Sequence, residues 1–237
     1  MLAIGIDLGG TRIKSVLIDE GGQVLQQAYT DTNDGDDRVW KTAVSQAVGH
    51  MKSFIGQREF VIGLSAPGLP TDDHGAIAFM PGRMQGLEGF HWKDFLGHPA
   101  YVLNDAVAAL MAEARFGAAR QVKHAVMLTL GTGVGGAILI DGKPYQGVFN
   151  KAGHIGHMVV DYQGDPDVTG MPGSLEECIG NCTIEKRSGG IYKSTQDLLN
   201  ACAQGNEAAR KIWLLSVRQL AIALASVTNI LSPEVIV

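Results

Sequence analysis

The chain has 237 residues, enough for one large domain or two modest ones. Apolar residues make up 46% and charged residues 18%, which excludes a disordered chain. A net charge of −5 with no basic run argues against a nucleic-acid partner, and the lack of a long uncharged apolar run predicts no membrane span.

Met1 to Asp7 has no basic stretch ahead of its apolar run, so no signal peptide is expected. The odd count of three cysteines, Cys178, Cys182 and Cys202, fits reduced thiols in a cytoplasmic protein. Glycine is over-represented, 31 residues in all, and clusters in a few short loops.

In chain order, Ala3–Leu8, Gly9-Gly10-Thr11 and Ile13–Asp19 read as strand, glycine turn and strand. Residues 23–29 follow as a third strand. Asp36 to Ile55 reads as a helix with Val39, Trp40, Ala43, Val44, Ala47, Val48 and Met51 at i, i+3/i+4 spacing. Glu59–Leu64 is a strand ending at Ser65-Ala66-Pro67-Gly68. Tyr101–Leu103 is a short strand, and Asp105–Phe116 a helix with Ala106, Ala109, Leu110 and Phe116 on its apolar side. The strand–glycine turn–strand pattern then returns. A shift of 122 residues, without gaps, lays Ala3–Thr11 on Ala125–Gly133 and Val16–Asp19 on Ile138–Asp141, which predicts duplication. A glycine-rich stretch runs from Gly142 to Gly190. It holds a short helix, Ser174–Ile179, with Ser174 as cap and Glu177 completing a capping box. Asn206–Leu231 is a long helix with Trp213, Leu214, Val217, Leu220, Leu224 and Val227 on its core face, stopped by Pro233. Glu234–Val237 opens a last strand, either at a sheet edge or interrupted by the end of the chain.

The two glycine turns are candidate phosphate loops. Adjacent glycines let backbone N–H groups approach an anion and tolerate positive φ. In the first loop, Asp7, Gly9, Gly10 and Thr11 could serve a phosphate and a metal-bound water, although a plain hairpin turn explains the loop equally well. The second loop, with Gly131, Thr132, Gly133 and Gly135, matches G-x-G-x-x-G, but a strand follows where a dinucleotide site needs a helix. NAD binding is therefore rejected. Asn104-Asp105 ends a strand just before a helix. Asp105 there can take a hydroxyl proton, or simply cap the helix, and taken alone the cap explains it better.

Together these stretches resemble the ROK family of sugar kinases and repressors. The resemblance rests on Gly5–Thr11, Ala66-Pro67-Gly68, Asn104-Asp105, Leu130–Gly136, Ala152–His157 and Gly170–Glu176, and it covers essentially the whole chain. It implies an actin-like (ribonuclease H-like) ATPase fold of two duplicated α/β domains, 1–117 and 118–237, around a cleft. It further implies ATP held by the two loops, Asp105 as catalytic base, and a sugar contacted by Gly68, Asn104, His154, His157 and Glu176. Cytoplasmic localisation and a homodimer or larger homo-oligomer are also implied.

Four departures stand out. Family members carry a zinc site made by a histidine, here His157, and three cysteines, where this chain has Asp167, Thr169 and Ser174. Zinc is therefore expected to be absent, Cys178 and Cys182 are expected to be packing residues, and an oxygen-rich replacement using His154, His157, Asp165 and Asp167 is disfavoured. His154 stands where the family has a glutamate, so a changed sugar preference is expected. Gly82 stands where the family has asparagine, within Met80-Pro81-Gly82-Arg83. Arg83 could read an acidic substrate, though a solvated loop arginine is the plainer reading. The family's sequence also continues past Val237 into an adenine-binding turn, so a truncated chain is expected. The leading expectation is an ATP- and magnesium-dependent sugar kinase. The alternatives are a non-catalytic sugar-sensing module, and a polyphosphate-dependent kinase, disfavoured for want of a basic channel. Repressors of the family start with a DNA-binding helix-turn-helix, whereas here Met1 leads straight into a strand.

Overall fold

The computed structural model describes residues 1–80 and 84–237. The expectations attached to Gly82 and Arg83 lie outside the described residues. The chain divides into two compact units, Met1–Ala112 with Gly147–Lys151, and Glu113–Gln146 with Ala152–Val237.

The first unit contains β1 (Leu2–Leu8), β2 (Arg12–Asp19), β3 (Val24–Asp31), α1 (Asp37–Lys52), β4 (Phe60–Ala66), β5 (Leu69–Pro70), β6 (Ile77–Phe79), α2 (Trp92–Leu96), β7 (Ala100–Asn104) and the start of α3 (Asp105–Phe116). Its main sheet has the order β3-β2-β1-β4-β7, antiparallel among the first three strands and parallel from β1 to β7. Apolar alternation decides the faces: Leu2, Ile4, Ile6 and Leu8 of β1 and Ile13 and Leu17 of β2 are buried. Asp36 caps α1 by accepting from the Arg38 amide at 2.9 Å, and Trp40, Ala43, Val44, Ala47, Val48 and Met51 fill its buried stripe. Two expected core residues are not core. Val39 lies at the rim of that stripe and is exposed. Phe116, the last residue of α3, is exposed with the Arg115 guanidinium over its ring.

The second unit contains β8 (Ala125–Leu130), β9 (Val134–Ile140), β10 (Lys143–Pro144), α4 (Leu175–Ile179), α5 (Ile184–Arg187), α6 (Thr195–Ala203), α7 (Glu207–Leu231) and β11 (Val235–Ile236). Its sheet order is β10-β9-β8-β11, and β11 is an edge strand, parallel to β8. The expected duplication is visible in topology, since each unit sets an antiparallel glycine-tipped hairpin beside a parallel strand. The registers differ by one residue, however. Ala3 pairs with Ile18, whereas Ala125 pairs with Leu139, so the second turn is one residue tighter.

The core face expected for α7 holds in part: Val227 is buried, and Trp213 and Leu220 pack against buried clusters. The buried positions are Ala209, Ser216, Ala223 and Val227, whereas Leu214 and Val217 are exposed. Small residues seven apart let α7 lie close against α4 and α6. By length and apolarity alone α7 could cross a membrane, which departs from the expectation that no segment would qualify. Helix α6 lies in a stretch that composition left unassigned. The capping box of α4 is only half made. Ser174 accepts from the Glu177 amide at 3.4 Å, but the Glu177 carboxylate goes to Lys186 at 3.0 Å.

Candidate active site

In the first unit, Asp7 is the penultimate residue of β1, just before the turn. Its Oδ1 accepts from the Ser65 hydroxyl at 2.7 Å, and its Oδ2 lies 3.3 Å from Lys14 Nζ. Both partners come from neighbouring strands, which fixes a carboxylate that is still half-exposed. The turn is pinned from below, because the amides of Thr32 and Asp34 donate to the carbonyls of Thr11 and Gly10. Gly9 is not in the left-handed region, so positive φ is not why a glycine is needed. A Cβ there would lie 2.5 Å from the Arg12 carbonyl oxygen, and close approach is the reason.

At the other parallel strand ends, Gly68 has φ +96°, and a Cβ would lie 2.7 Å from the Phe79 carbonyl oxygen. Asn104 is buried and bridges two elements. Its Nδ2 donates to the Gly68 carbonyl at 3.1 Å, and its Oδ1 accepts from the Ala106 amide at 3.0 Å. Asp105 opens α3 and is an exposed residue, and its Oδ1 accepts from the Ala106 amide at 2.8 Å. Asn104 and Asp105 thus share the capping of α3, and the Gly68 turn is tied to the same helix start.

In the second unit, the turn Gly131–Gly133 is held by the segment after α4. The amides of Asn181 and Cys182 donate to the carbonyls of Gly131 and Thr132. Glu176, expected at the sugar, reaches this turn as well. Its Oε2 accepts from the Val134 amide at 2.9 Å, and a Cβ on Gly133 would lie only 2.1 Å from that oxygen. Sequence spacing carried no signal of this contact, which joins residues 42 positions apart. Gly135 lies within β9, opposite Thr129.

His154 precedes and His157 ends a short 3₁₀ turn, Ile155–His157, and their ring centroids are 6.3 Å apart. His157 Nδ1 lies 2.8 Å from Asp167 Oδ2. Asp167 Oδ1 accepts from the Thr169 amide at 2.8 Å, the Thr169 hydroxyl at 2.7 Å and the Met171 amide at 3.1 Å. Burial pushes the Asp167 carboxyl up, but the bonds from Thr169, His157 and Ser174 outweigh burial and hold it well below the usual carboxylate range.

The zinc site implied by the resemblance does not fit this donor set. Positions 169 and 174 offer neutral hydroxyls, and the one carboxylate has its oxygens committed to hydrogen bonds. Among the described residues no group of three or more His, Cys, Asp or Glu side chains is disposed to hold a metal ion. Burial raises the thiols of Cys178 and Cys182, although Cys182 is exposed overall rather than packed.

Comparison with known proteins places this geometry in a family. The ROK family model matches residues 3–237. Glucokinase of Thermotoga maritima is 29% identical over 99% of this chain and 80% of its own length. The ROK hexokinase of Thermus thermophilus superposes with a TM-score of 0.85 at 28% identity, over all of this chain and 80% of that one. A ROK family glucokinase from Streptomyces griseus, solved with glucose and AMPPNP, has a TM-score of 0.80 at 26% identity, over all of this chain and 82% of that one. A xylose repressor of Caldicellulosiruptor bescii is 25% identical over 99% of this chain and 64% of its own length. The fold is the mixed α/β actin-like ATPase fold of the ROK sugar kinases, and with its family model matched from residue 3 to residue 237, the chain belongs to the ROK family.

Proposed function

We propose that the chain is a sugar kinase that transfers the γ-phosphate of ATP to a hydroxyl of a hexose or hexose derivative. The observation that carries this reading is the placement of Asp105 directly after β7, beside a buried Asn104 that ties the Gly68 turn to the start of α3. A sugar sensor needs hydroxyl contacts but no base. A kinase needs a carboxylate that accepts the hydroxyl proton as the oxygen attacks phosphorus, help worth roughly 10²- to 10⁴-fold.

In this reading Gly68, Asn104, His154, His157 and Glu176 contact the sugar. The loop residues Asp7, Gly9, Gly10 and Thr11 in one unit, and Gly131, Thr132, Gly133 and Gly135 in the other, line the phosphates, although the Gly131 amide itself closes the turn by donating to the Gly133 carbonyl at 3.0 Å. The first loop fits such a role, because its carboxylate is fixed yet half-exposed. Magnesium would supply charge neutralisation at the phosphates, with Asp7 holding one of its waters. The two domains are taken as 1–117 and 118–237. The cytoplasm, where ATP and free thiols coexist, is the proposed compartment.

The test is ADP release from Mg-ATP across hexoses, amino sugars and N-acyl sugars, with Asp105→Asn as control. Turnover that depends on Asp105 supports the kinase. A second reading, a non-catalytic sugar-sensing module, is favoured by the likeness to the xylose repressor. It would show as sugar binding without turnover by this chain or by a version extended at its C-terminus.

A further inference from the structure

The side-chain cluster His157–Asp167–Thr169–Ser174 stands where the resemblance implies a metal that these residues do not fit. The segment carrying it is tightly built. The amides of Val160 and Asp161 both donate to the Gly173 carbonyl, Gly173 donates to Asp165, and Asp167 and Met171 close a turn. A Cβ on Gly173 would lie 1.8 Å from the Asp161 carbonyl oxygen, so the loop has one way to pack. At its centre the Asp167 side chain is fully buried, while His157 is about one-quarter exposed.

We propose that Asp167 is a positioning residue that replaces a metal: its carboxylate holds His157 as the Nδ1-protonated tautomer and leaves Nε2 as a hydrogen-bond acceptor for a sugar hydroxyl. An ionised carboxylate only accepts, so the 2.8 Å contact requires the proton on His157 Nδ1. A neutral imidazole has one proton, so Nε2 is then an acceptor. The three donors on Oδ1 keep the carboxylate from rotating, and so keep the ring from rotating. The tautomer rests on this geometry alone. The role at the sugar rests on the function proposed above.

The test is nitrogen-15 NMR of histidine-labelled protein at neutral pH, with His157 assigned by loss of its signals in His157→Gln. Wild type is expected to show a protonated Nδ1 and an unprotonated Nε2, unchanged by a chelator. In Asp167→Asn the amide oxygen can keep the three donors that Oδ1 has, which turns its NH₂ toward His157. The imidazole should then carry its proton on Nε2. The same variant should raise KM, or Kd if there is no turnover, for the sugar by about 10- to 100-fold with a much smaller change in kcat, because a donor replaces an acceptor. Thr169→Val, which removes one bond but spares the His157 contact, should keep the wild-type tautomer. An Nε2 proton in the wild type, a tautomer indifferent to Asp167→Asn, or one zinc per chain whose removal changes the His157 signals would each overturn the proposal. Failure of every sugar to be phosphorylated would instead count against the kinase and leave the tautomer result to decide this inference.

Discussion

Gly133 is the residue whose replacement most directly tests the link between Glu176 and the second glycine turn. An added Cβ would sit 2.1 Å from Glu176 Oε2, and no backbone atom lies within 4 Å of it among its three nearest neighbours. Gly133 is outside the left-handed region, so alanine is not strained there. In Gly133→Ala the Glu176 side chain must therefore swing away and give up its 2.9 Å bond to the Val134 amide. A hydrogen bond to a charged group contributes about 1.5–3 kcal/mol. For a chain of this size each kcal/mol moves Tm by about 2–4 °C, so Tm should fall by about 3–12 °C. The informative assay is a double-mutant cycle by thermal and urea unfolding. With Glu176→Ala as background the steric cause is gone, and Gly133→Ala should become neutral, or stabilising by about 0.4–1 kcal/mol through the unfolded chain. Equal cost in both backgrounds would refute the reasoning and show that the glycine serves the backbone itself.

Asp105→Asn should lower turnover by roughly 10²- to 10⁴-fold while sugar affinity, read by calorimetry, stays within a few-fold; an unchanged kcat would exclude Asp105 as base. Acid should weaken the second unit through Asp167. Its folded carboxyl is held below the unfolded value, so its stabilisation is present above the unfolded pKa of about 3.9 and is lost as pH falls toward the lower folded value. Acid unfolding of wild type should accordingly be steeper than that of Asp167→Asn, and matching profiles would contradict the assignment. Placing cysteine at positions 167, 169 and 174 together should create a zinc site with His157, read as one zinc per chain by elemental analysis, whereas wild type should retain none after dialysis. Failure of the triple variant to bind zinc would show that the loop geometry, and not only the donor set, departs from a metal site.

Much of the candidate site could be picked out in the sequence because its parts are local. A glycine turn between apolar strands, an Asn-Asp pair before a helix and a Gly-His turn each fall within a few consecutive residues, and the hairpins and α3 formed where patterning put them. The α7 face was legible only in part: Val227 is buried and Trp213 and Leu220 pack on the core, but large apolar residues overstated the stripe. Close packing on α4 and α6 buried Ala209, Ser216 and Ala223 instead and left Leu214 outside. The one-residue change in hairpin register was also hidden, since an ungapped alignment cannot show which residues bond across a turn.

The sequence alone therefore determined the family, the α/β class, the duplicated hairpins and the loss of three thiolates at 167, 169 and 174, all of which depend on residue identity at local spacing. Only the tertiary structure decided what those positions do. That Asp167 turns inward onto His157, that Glu176 braces the second glycine turn and that Ser65 fixes Asp7 all depend on side chains distant in sequence. Whether such polar groups meet is set by how strands and loops pack, because a buried carboxylate is stable only where the fold brings donors to it.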